Sequence, residues 1–383
     1  MLRRLLRGIA LTATIAGIGY LAVARRCVCD FSRRGLETSS VEPGVTVFKP
    51  LRGEEPQLYE NLCSFCDQQY GDFRVIFGVA DRNDPAYAVA ERVRKKFPSR
   101  DIVLSVGADP SATNPKIANL IAMSAHARGE IFVIADSDMR VDRNYLRSIV
   151  VPFEDQRTGA VTCLYRAHAL NGFSSLLGAM YVNAYFAPSV VVASRIEDLA
   201  FALGATIAVR KTVLDEIGGF TALGRQLADD YELGRLTRVA GYDVRLSRYV
   251  AENVVHEPTL HALVHHELRW ARTIAAVRPL GYALSGVTFP MMWAVIYRLL
   301  GGKKQHARLC GIVAFALRIA LHKAAYEALD AKPIDPFWAI PLRDGLAFAI
   351  WCASFFGRRV TWRDQRFEQD RRGQLTLADT ESK

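Results

Sequence analysis

Ile131-Phe132-Val133-Ile134-Ala135-Asp136-Ser137-Asp138 is the stretch that decides the fold. Its five consecutive apolar residues, with no polar alternation, describe a strand buried on both faces, as in a parallel sheet covered by helices. The run ends in two carboxylates one residue apart. Ligands of open α/β sheets bind beyond the carboxyl ends of the strands, so Asp136 and Asp138 fall where chemistry is expected. Two acids at this spacing in a turn can reach one divalent cation, and their oxygen donors suit Mg2+ or Mn2+, with a nucleotide sugar's diphosphate as co-ligand. A lone D-x-D is common by chance. Its place at the end of a buried strand is what lifts this one above a solvated turn.

Further strands of the same kind lie outward from it at residues 45–48, 73–79, 102–106, 161–165 and 206–209. Between them, residues 55–68 and 86–97 carry helical spacing, and Pro85 sits where a first helical turn begins. Such alternation predicts an α/β, doubly wound catalytic domain. The strand at 73–79 also runs into an acid, Asp81, although Asp81 with Asn83-Asp84-Pro85 equally suits a turn entering a helix. A third acidic cluster, Ala228-Asp229-Asp230-Tyr231-Glu232, follows Gly218, Gly219 and Gly224 and precedes a helical segment at 233–239. Adjacent acids there either complement a helix dipole or supply a general base for attack by an alcohol.

The two ends of the chain read differently. Residues 8–24 are uncharged and largely apolar, with Arg3, Arg4 and Arg7 before them and Arg25 and Arg26 after them. They predict an N-terminal membrane anchor, with a cleaved signal peptide ending at Ala22-Val23-Ala24 as the rival. Beyond His256, apolar stretches at 280–296, 309–321 and 337–356 are interrupted by Pro290, Arg318, Arg343 and Asp344, a pattern of interfacial, re-entrant or imperfect spans. The expected division is therefore an anchor at 1–35, a catalytic domain at 36–273, a membrane-associated region at 274–360 and a polar tail at 361–383 that is loose from Gln365 onward.

Composition narrows the partners. Of 383 residues half are hydrophobic, and 49 Lys and Arg against 39 Asp and Glu give a formal charge of +10 spread along the chain. With no basic arm or helix set apart, a nucleic-acid partner is excluded as the main reading. The excess suits anionic phospholipid or a UDP-sugar donor. Seven scattered cysteines, an odd number in a chain too large to need stapling, predict reduced thiols. Cys63-Ser64-Phe65-Cys66 joined by Cys27 and Cys29 as a zinc cage is the weaker alternative.

Six pieces in order resemble the ceramide glucosyltransferase family, glycosyltransferase family 21: Lys49-Pro50-Leu51-Arg52-Gly53, Asp81-x-x-Asp84-Pro85, Asn114-Pro115-Lys116-x-x-Asn119-Leu120, Asp136-Ser137-Asp138, Asp229-Asp230-Tyr231 and Arg269-Trp270. The likeness runs through residues 40–275 and continues weakly to Thr361-Trp362-Arg363-x-x-Arg366-Phe367. Within the family the chain is most similar to a bacterial branch tied to hopanoid synthesis, through Ala228 to Arg235, Glu252-Asn253-Val254-Val255, and His266 to Thr273 followed by Arg278-Pro279-Leu280-Gly281-Tyr282. The resemblance implies a GT-A fold with an N-terminal transmembrane helix, an inverting mechanism, and N-acetylglucosamine transfer from its UDP donor to bacteriohopanetetrol. Glucose transfer from UDP-glucose to ceramide is the alternative. It also implies a catalytic domain facing the cytoplasm at the bacterial inner membrane.

Carried over by motif, Asp81 serves the nucleotide, with Lys49, Pro50, Asp84, Lys116, Asn119, Asp136 and Asp229 around the donor. Asp136 and Asp138 hold metal and diphosphate, Asp230 is the base, and Arg269 and Trp270 serve the leaving group and the acceptor end. His266 departs from the pattern, standing where the family has Gln or Arg, and a neutral imidazole donates fewer hydrogen bonds than a guanidinium. Asp138 departs from the animal members, which lack the second acid, and its presence implies metal dependence. A processive polysaccharide synthase and an inactive membrane scaffold are the remaining rivals.

Overall fold

The computed structural model describes residues 1–33, 35, 39, 41–197, 199–332 and 336–357, and the backbone of 359–362, 365–369 and 375–377. In chain order its elements are α1 (Leu2–Ser32), β1 (Val45–Pro50), α2 (Leu58–Cys66), β2 (Phe73–Val79), α3 (Pro85–Lys96), β3 (Asp101–Val106), α4 (Pro115–Ser124), β4 (Ile131–Ala135), β5 (Met139–Arg140), α5 (Tyr145–Ile149), β6 (Thr158–Ala169), α6 (Gly172–Tyr181), α7 (Ala187–Ile196), β7 (Thr206–Arg210), α8 (Lys211–Glu216), α9 (Asp229–Val239), β8 (Asp243–Val255), α10 (Leu260–Val277), α11 (Pro279–Leu284), α12 (Pro290–Leu299), α13 (Lys304–Ala328), α14 (Ala339–Ser354), β9 (Arg359–Trp362), β10 (Gln365–Gln369) and β11 (Leu375–Leu377). They divide into a helical unit (Met1–Arg34, Ala169–Ile196, Glu257–Val360) and an α/β unit (Gly35–His168, Glu197–His256, Thr361–Lys383).

The α/β unit is built on an eight-stranded sheet in the order β3-β2-β1-β4-β7-β6-β8-β5. β1 pairs in parallel with both β2 and β4, whereas β7 runs antiparallel to β4 and to β6. Successive residues of a strand face opposite sides, and β1 shows the consequence. Val45 and Val47 join a core with Leu62 and Phe65 of α2 and Val89 of α3, while Phe48 joins a second core with Ile117 and Leu120 of α4 and Leu233 of α9. Phe48 meets Phe132 and Phe220 edge-on at 5.3 and 5.5 Å, so truncation to alanine is expected to cost about 3–5 kcal/mol. The doubly wound α/β reading is thus observed.

The carboxyl terminus differs from its sequence reading. Within the segment read as loose, Gln365–Gln369 and Leu375–Leu377 form strands β10 and β11, paired antiparallel, with β9 beside β10. Arg363 of the last motif lies outside the described residues.

In the helical unit, α1 buries Ala10, Thr14, Gly17, Leu21, Ala24, Val28 and Phe31, alternating steps of four and three that keep one stripe inward. A Cβ on Gly17 would lie 2.3 Å from the Val287 carbonyl oxygen and 2.9 Å from Pro290 Cβ, so only glycine permits this approach to the α11–α12 connection. Leu2–Ser32, Gly172–Ile196 and Lys304–Ala328 are long and apolar enough to cross a membrane, and the pair around Phe289 bends by 76°. Gly172–Ile196, though, leaves β6 and returns to β7, and those strands pair at Ala160 and Val209. All seven cysteines are free, as expected.

The charges that interrupt the C-terminal apolar stretches are buried in pairs. Arg318 of α13 donates to Asp344 Oδ1 at 3.0 Å, and Arg343 of α14 donates to Glu267 of α10. Each guanidinium also lies over a tyrosine ring, Arg318 at 4.3 Å from Tyr185 and Arg343 at 4.9 Å from Tyr181.

Candidate active site

In strand order 3-2-1-4 the chain reverses direction across the sheet between β1 and β4, and at such a switch point a crevice opens at the carboxyl ends. β1 delivers Lys49 and Pro50 to that edge, and β4 delivers Asp136. Lys49 is fully buried with its ammonium 4.0 Å from the Phe65 ring centre, and it donates to the Asp136 carbonyl. Burial lowers its pKa to about 8 against the upward pull of Asp138, Asp136 and Glu55.

Lys116 draws the distant acids together. Asn114 caps α4 by accepting from the Lys116 and Ile117 amides at 2.9 and 3.3 Å, and its own amide donates to the Gln226 carbonyl at 2.8 Å. That cap aims the Lys116 ammonium at Asp136 Oδ1 (2.8 Å) and Asp229 Oδ2 (3.5 Å), with Lys116 and Asp229 each only 14% exposed at the side chain. Burial opposes the lysine's charge, but Asp136 and Asp229 outweigh it, and its pKa is raised.

Asp230, the second residue of α9, lies beside Gly204, where a Cβ would sit 3.0 Å from its Oδ2. Its pKa is pushed up to about 6, first by burial and then by Asp229, with Lys116 and the Tyr231 amide pulling the other way. At neutral pH it is mostly ionised yet basic enough to take a proton.

Asp138 has a similar environment. Burial, then Asp136 and Glu55, raise it to about 6, while the Asn253 amide, donating to Oδ2 at 2.8 Å, holds it down. Glu55 is itself held by the Ser137 hydroxyl at 2.5 Å. Sequence reasoning passed over Glu55 and Asn253. Glu55 follows the Lys49-Pro50 motif by five residues, and Asn253 stood inside Glu252-Asn253-Val254-Val255, where its strand register opposite Met139 was not visible.

The other donor-side residues do different things. Asp81 is exposed beyond β2, its Oδ1 accepting from the Asn83 amide at 2.9 Å. Asp84 caps α3 through the Ala86 amide and also accepts from the Gly53 amide at 2.8 Å, tying the loop after β1 to the loop after β2. Asn119 is 4% exposed and donates to the Gly78 carbonyl at 2.8 Å, bracing β2 from α4.

His266, Arg269 and Trp270 belong to the helical unit, on α10. The His266 and Trp270 rings are 4.3 Å apart, and His266 Nδ1 lies 2.6 Å from Glu257 Oε1. Glu257 is 8% exposed, and its amide donates to the Ser175 hydroxyl at 2.8 Å. Glu257 is the third residue that sequence reasoning missed near a motif, nine positions before the histidine it holds.

Among the described residues no three His, Cys, Asp or Glu side chains gather as a ready metal cage. Asp136 and Asp138 nevertheless fit a hard cation that takes one or two carboxylates and completes its shell with phosphate oxygen and water. Asp138 is raised first by burial and then by its neighbour Asp136, a pair of like charges that a cation between them would favour in the ionised form. A diphosphate would add to that negative charge.

The sequence profile described as Glycosyl transferase family 21 matches residues 9–375. The chain belongs to glycosyl transferase family 21. Similar proteins include ceramide glucosyltransferase 3 of Caenorhabditis elegans, 27% identical over 289 residues, which are 72% of this chain and 62% of that protein. Ceramide glucosyltransferase 1 of the same organism is 26% identical over 64% of this chain and 52% of its own length. The chain thus spans a little over half the length of these relatives. Among solved structures, the mannosyltransferase PcManGT of Pyrobaculum calidifontis, in complex with GDP-Man and Mn2+, has a TM-score of 0.58 at 19% identity, covering 92% of this chain and 99% of that one. Family and likeness together make the α/β unit of this family 21 member a GT-A-like fold, and its apolar helices make it a candidate membrane protein.

Proposed function

We propose that this family 21 member is an inverting glycosyltransferase that moves a sugar from a UDP donor to a hydroxyl of a membrane lipid. The observation that carries the reading is the Lys116 bridge, which puts Asp136 of β4 and Asp229 of α9 on one ammonium with Asp230 beside them. In this reading the acceptor hydroxyl oxygen attacks the anomeric carbon, the bond from that carbon to the diphosphate oxygen breaks on the opposite face, and UDP leaves as an anion. Asp230 takes the hydroxyl proton, and Lys116 and Arg269 offset charge on the departing diphosphate. Asp81 and Asp229 serve the nucleotide with Lys49 and Pro50, while Asp84 and Asn119 fix the walls around it, His266 serves the nucleotide sugar and Trp270 the acceptor end. Asp136 and Asp138 would hold Mg2+ or Mn2+, which supplies Lewis-acid stabilisation of the diphosphate when bound.

Support for a lipid acceptor comes from the family and from helices suited to a bilayer. We read the acceptor as a hopanoid polyol, bacteriohopanetetrol, and the sugar as N-acetylglucosamine, on the residue runs at 228–235 and 266–282. The second reading is ceramide with UDP-glucose, favoured by what the similar proteins are called. A cytoplasmic catalytic unit at the bacterial inner membrane follows from where UDP-sugars are made. Membranes containing the full chain, supplied with labelled UDP-N-acetylglucosamine or UDP-glucose and with the hopanoid or ceramide, should yield one singly glycosylated lipid by mass spectrometry. A polymeric product would replace this reading with a processive synthase. UDP bound without turnover on any acceptor would replace it with a scaffold.

A further inference from the structure

One end of the helical unit gathers positive charge that nothing in the described protein balances. Arg3 Nε donates to the Leu300 carbonyl at 3.2 Å, and Arg7 Nη1 donates to the Gly301 carbonyl at 3.3 Å. These two bonds hold the first turns of α1 against the connection between α12 and α13. Arg3 and Arg4 from the first element thereby join Arg298, Lys303, Lys304 and Arg308 from the second, and all six are exposed, with Arg7 half-buried among them.

No Asp or Glu occurs in residues 1–29 or 279–326, the segments that supply this end, and none of the seven cations has a carboxylate partner among the described residues. The contrast with the same helices further along is direct. Arg318 has Asp344, and Arg33 has Asp30 at 3.7 Å. Interleaved with the cations and following them along the same helices are exposed apolar side chains, Leu2, Leu6 and Ile9 on α1, Leu299 on α12, and Leu309 and Ile312 on α13.

Seven like charges brought together by the fold repel one another unless anions come between them. An apolar collar directly below a basic rim is matched by one environment, the boundary where acyl chains give way to phosphate headgroups. We propose that this rim, formed by the start of α1 and the α12–α13 connection, is a docking surface for anionic phospholipid headgroups and sets the depth of the helical unit in the bilayer. Guanidinium groups take phosphate oxygens in pairs, while Lys303 and Lys304 act as point charges beside them.

The test uses the full chain, purified in detergent and exchanged into nanodiscs holding equal amounts of phosphatidylglycerol and phosphatidylcholine, with the lipids retained on the protein counted by native mass spectrometry. The wild type should retain phosphatidylglycerol with about a tenfold preference. A variant carrying Arg4→Gln, Lys303→Gln, Lys304→Gln and Arg308→Gln spares the two arginines that hold the turn, and it should lose that preference. A control with Arg25→Gln, Arg26→Gln, Lys323→Gln and Lys332→Gln removes as many charges at the far ends of α1 and α13 and should keep it. Lipid exchange of the wild type at about 0.5 M salt should bring the preference close to one, a reading that needs no variant. Equal retention of the two lipids by the wild type, an unchanged preference in the rim variant, or an equal loss in the control would each overturn the proposal.

Discussion

Both units bury charge, but they balance it differently. In the helical unit two buried acids each have their own arginine, Glu267 with Arg343 and Asp344 with Arg318, and a third, Glu257, lies against His266. Around Lys116 the acids are not paired one to one: Asp136, Asp138, Asp229 and Asp230 lie close together, with Lys116 and Lys49 among them. Matched pairs are neutral as a set and complete without a ligand, as architecture requires. The crowded acids are not neutral as a set, and burial first, then their acidic neighbours, raises two of them to about 6. Imbalance therefore marks the chemistry in this chain better than burial does.

Breaking the unmatched set at its base should have the largest effect. Asp230→Asn is expected to keep UDP binding while lowering turnover by about 10²–10⁴-fold, measured as product formed per enzyme beside donor binding by calorimetry. A base must be ionised, so wild-type activity should fall as pH drops through about 6, the value to which burial raises this carboxyl. A variant that turns over at the wild-type rate would move the base elsewhere.

Breaking a matched pair should instead harm stability. Arg343→Ala leaves Glu267 buried and alone, and a loss of about 3–5 kcal/mol is expected from the shift of the unfolding midpoint in detergent. Replacing both partners by apolar residues, Arg343→Met with Glu267→Leu, should recover most of it. If the double change is as damaging as the single one, the pair does more than hold α10 to α14.

Much of this contrast was legible beforehand on one side and hidden on the other. Strands 73–79 and 131–135 announce themselves because burial on both faces removes polar alternation, and the acids that follow them inherit a place in the crevice from the sheet. The long strand β8 escaped notice because its residues are only intermittently buried, so neither an apolar run nor a clean alternation marks it. With it went Asn253. Gly172–Ile196 was read into the α/β alternation, since a helix that leaves a sheet and returns to it has no local mark of belonging to another unit. Arg318, Arg343 and Asp344 looked like faults in membrane spans, because their partners lie 26 and 76 residues away and pairing at that range leaves no trace in spacing.

His266 and Glu257 offer an intermediate test, since they are a matched pair next to candidate chemistry. Each should lose about tenfold in kcat/KM when changed to alanine, and the double variant should lose little more, because the carboxylate acts through the ring it holds. His266→Arg, with Glu257 kept, should stay active. Additive losses would show that the two serve separate ends.

The smallest effect sharpens the comparison most. Asp138 is raised from 3.8 to about 6 in the fold, so between those values the folded chain binds a proton that the unfolded chain gives up. Stability from this group is therefore highest in acid and is lost as pH rises through about 6, on the order of 1–2 kcal/mol after screening is allowed for. Asp138→Asn removes that loss, so above pH 6 and without divalent cation the variant should melt slightly higher than wild type. Added Mn2+ should reverse the order, raising the wild-type midpoint and leaving the variant where it was, because only the wild type has a second carboxylate to share with the ion. Removing Glu267 or Asp344 from the helical unit should bring no such response to Mn2+, since each of those acids already has its arginine.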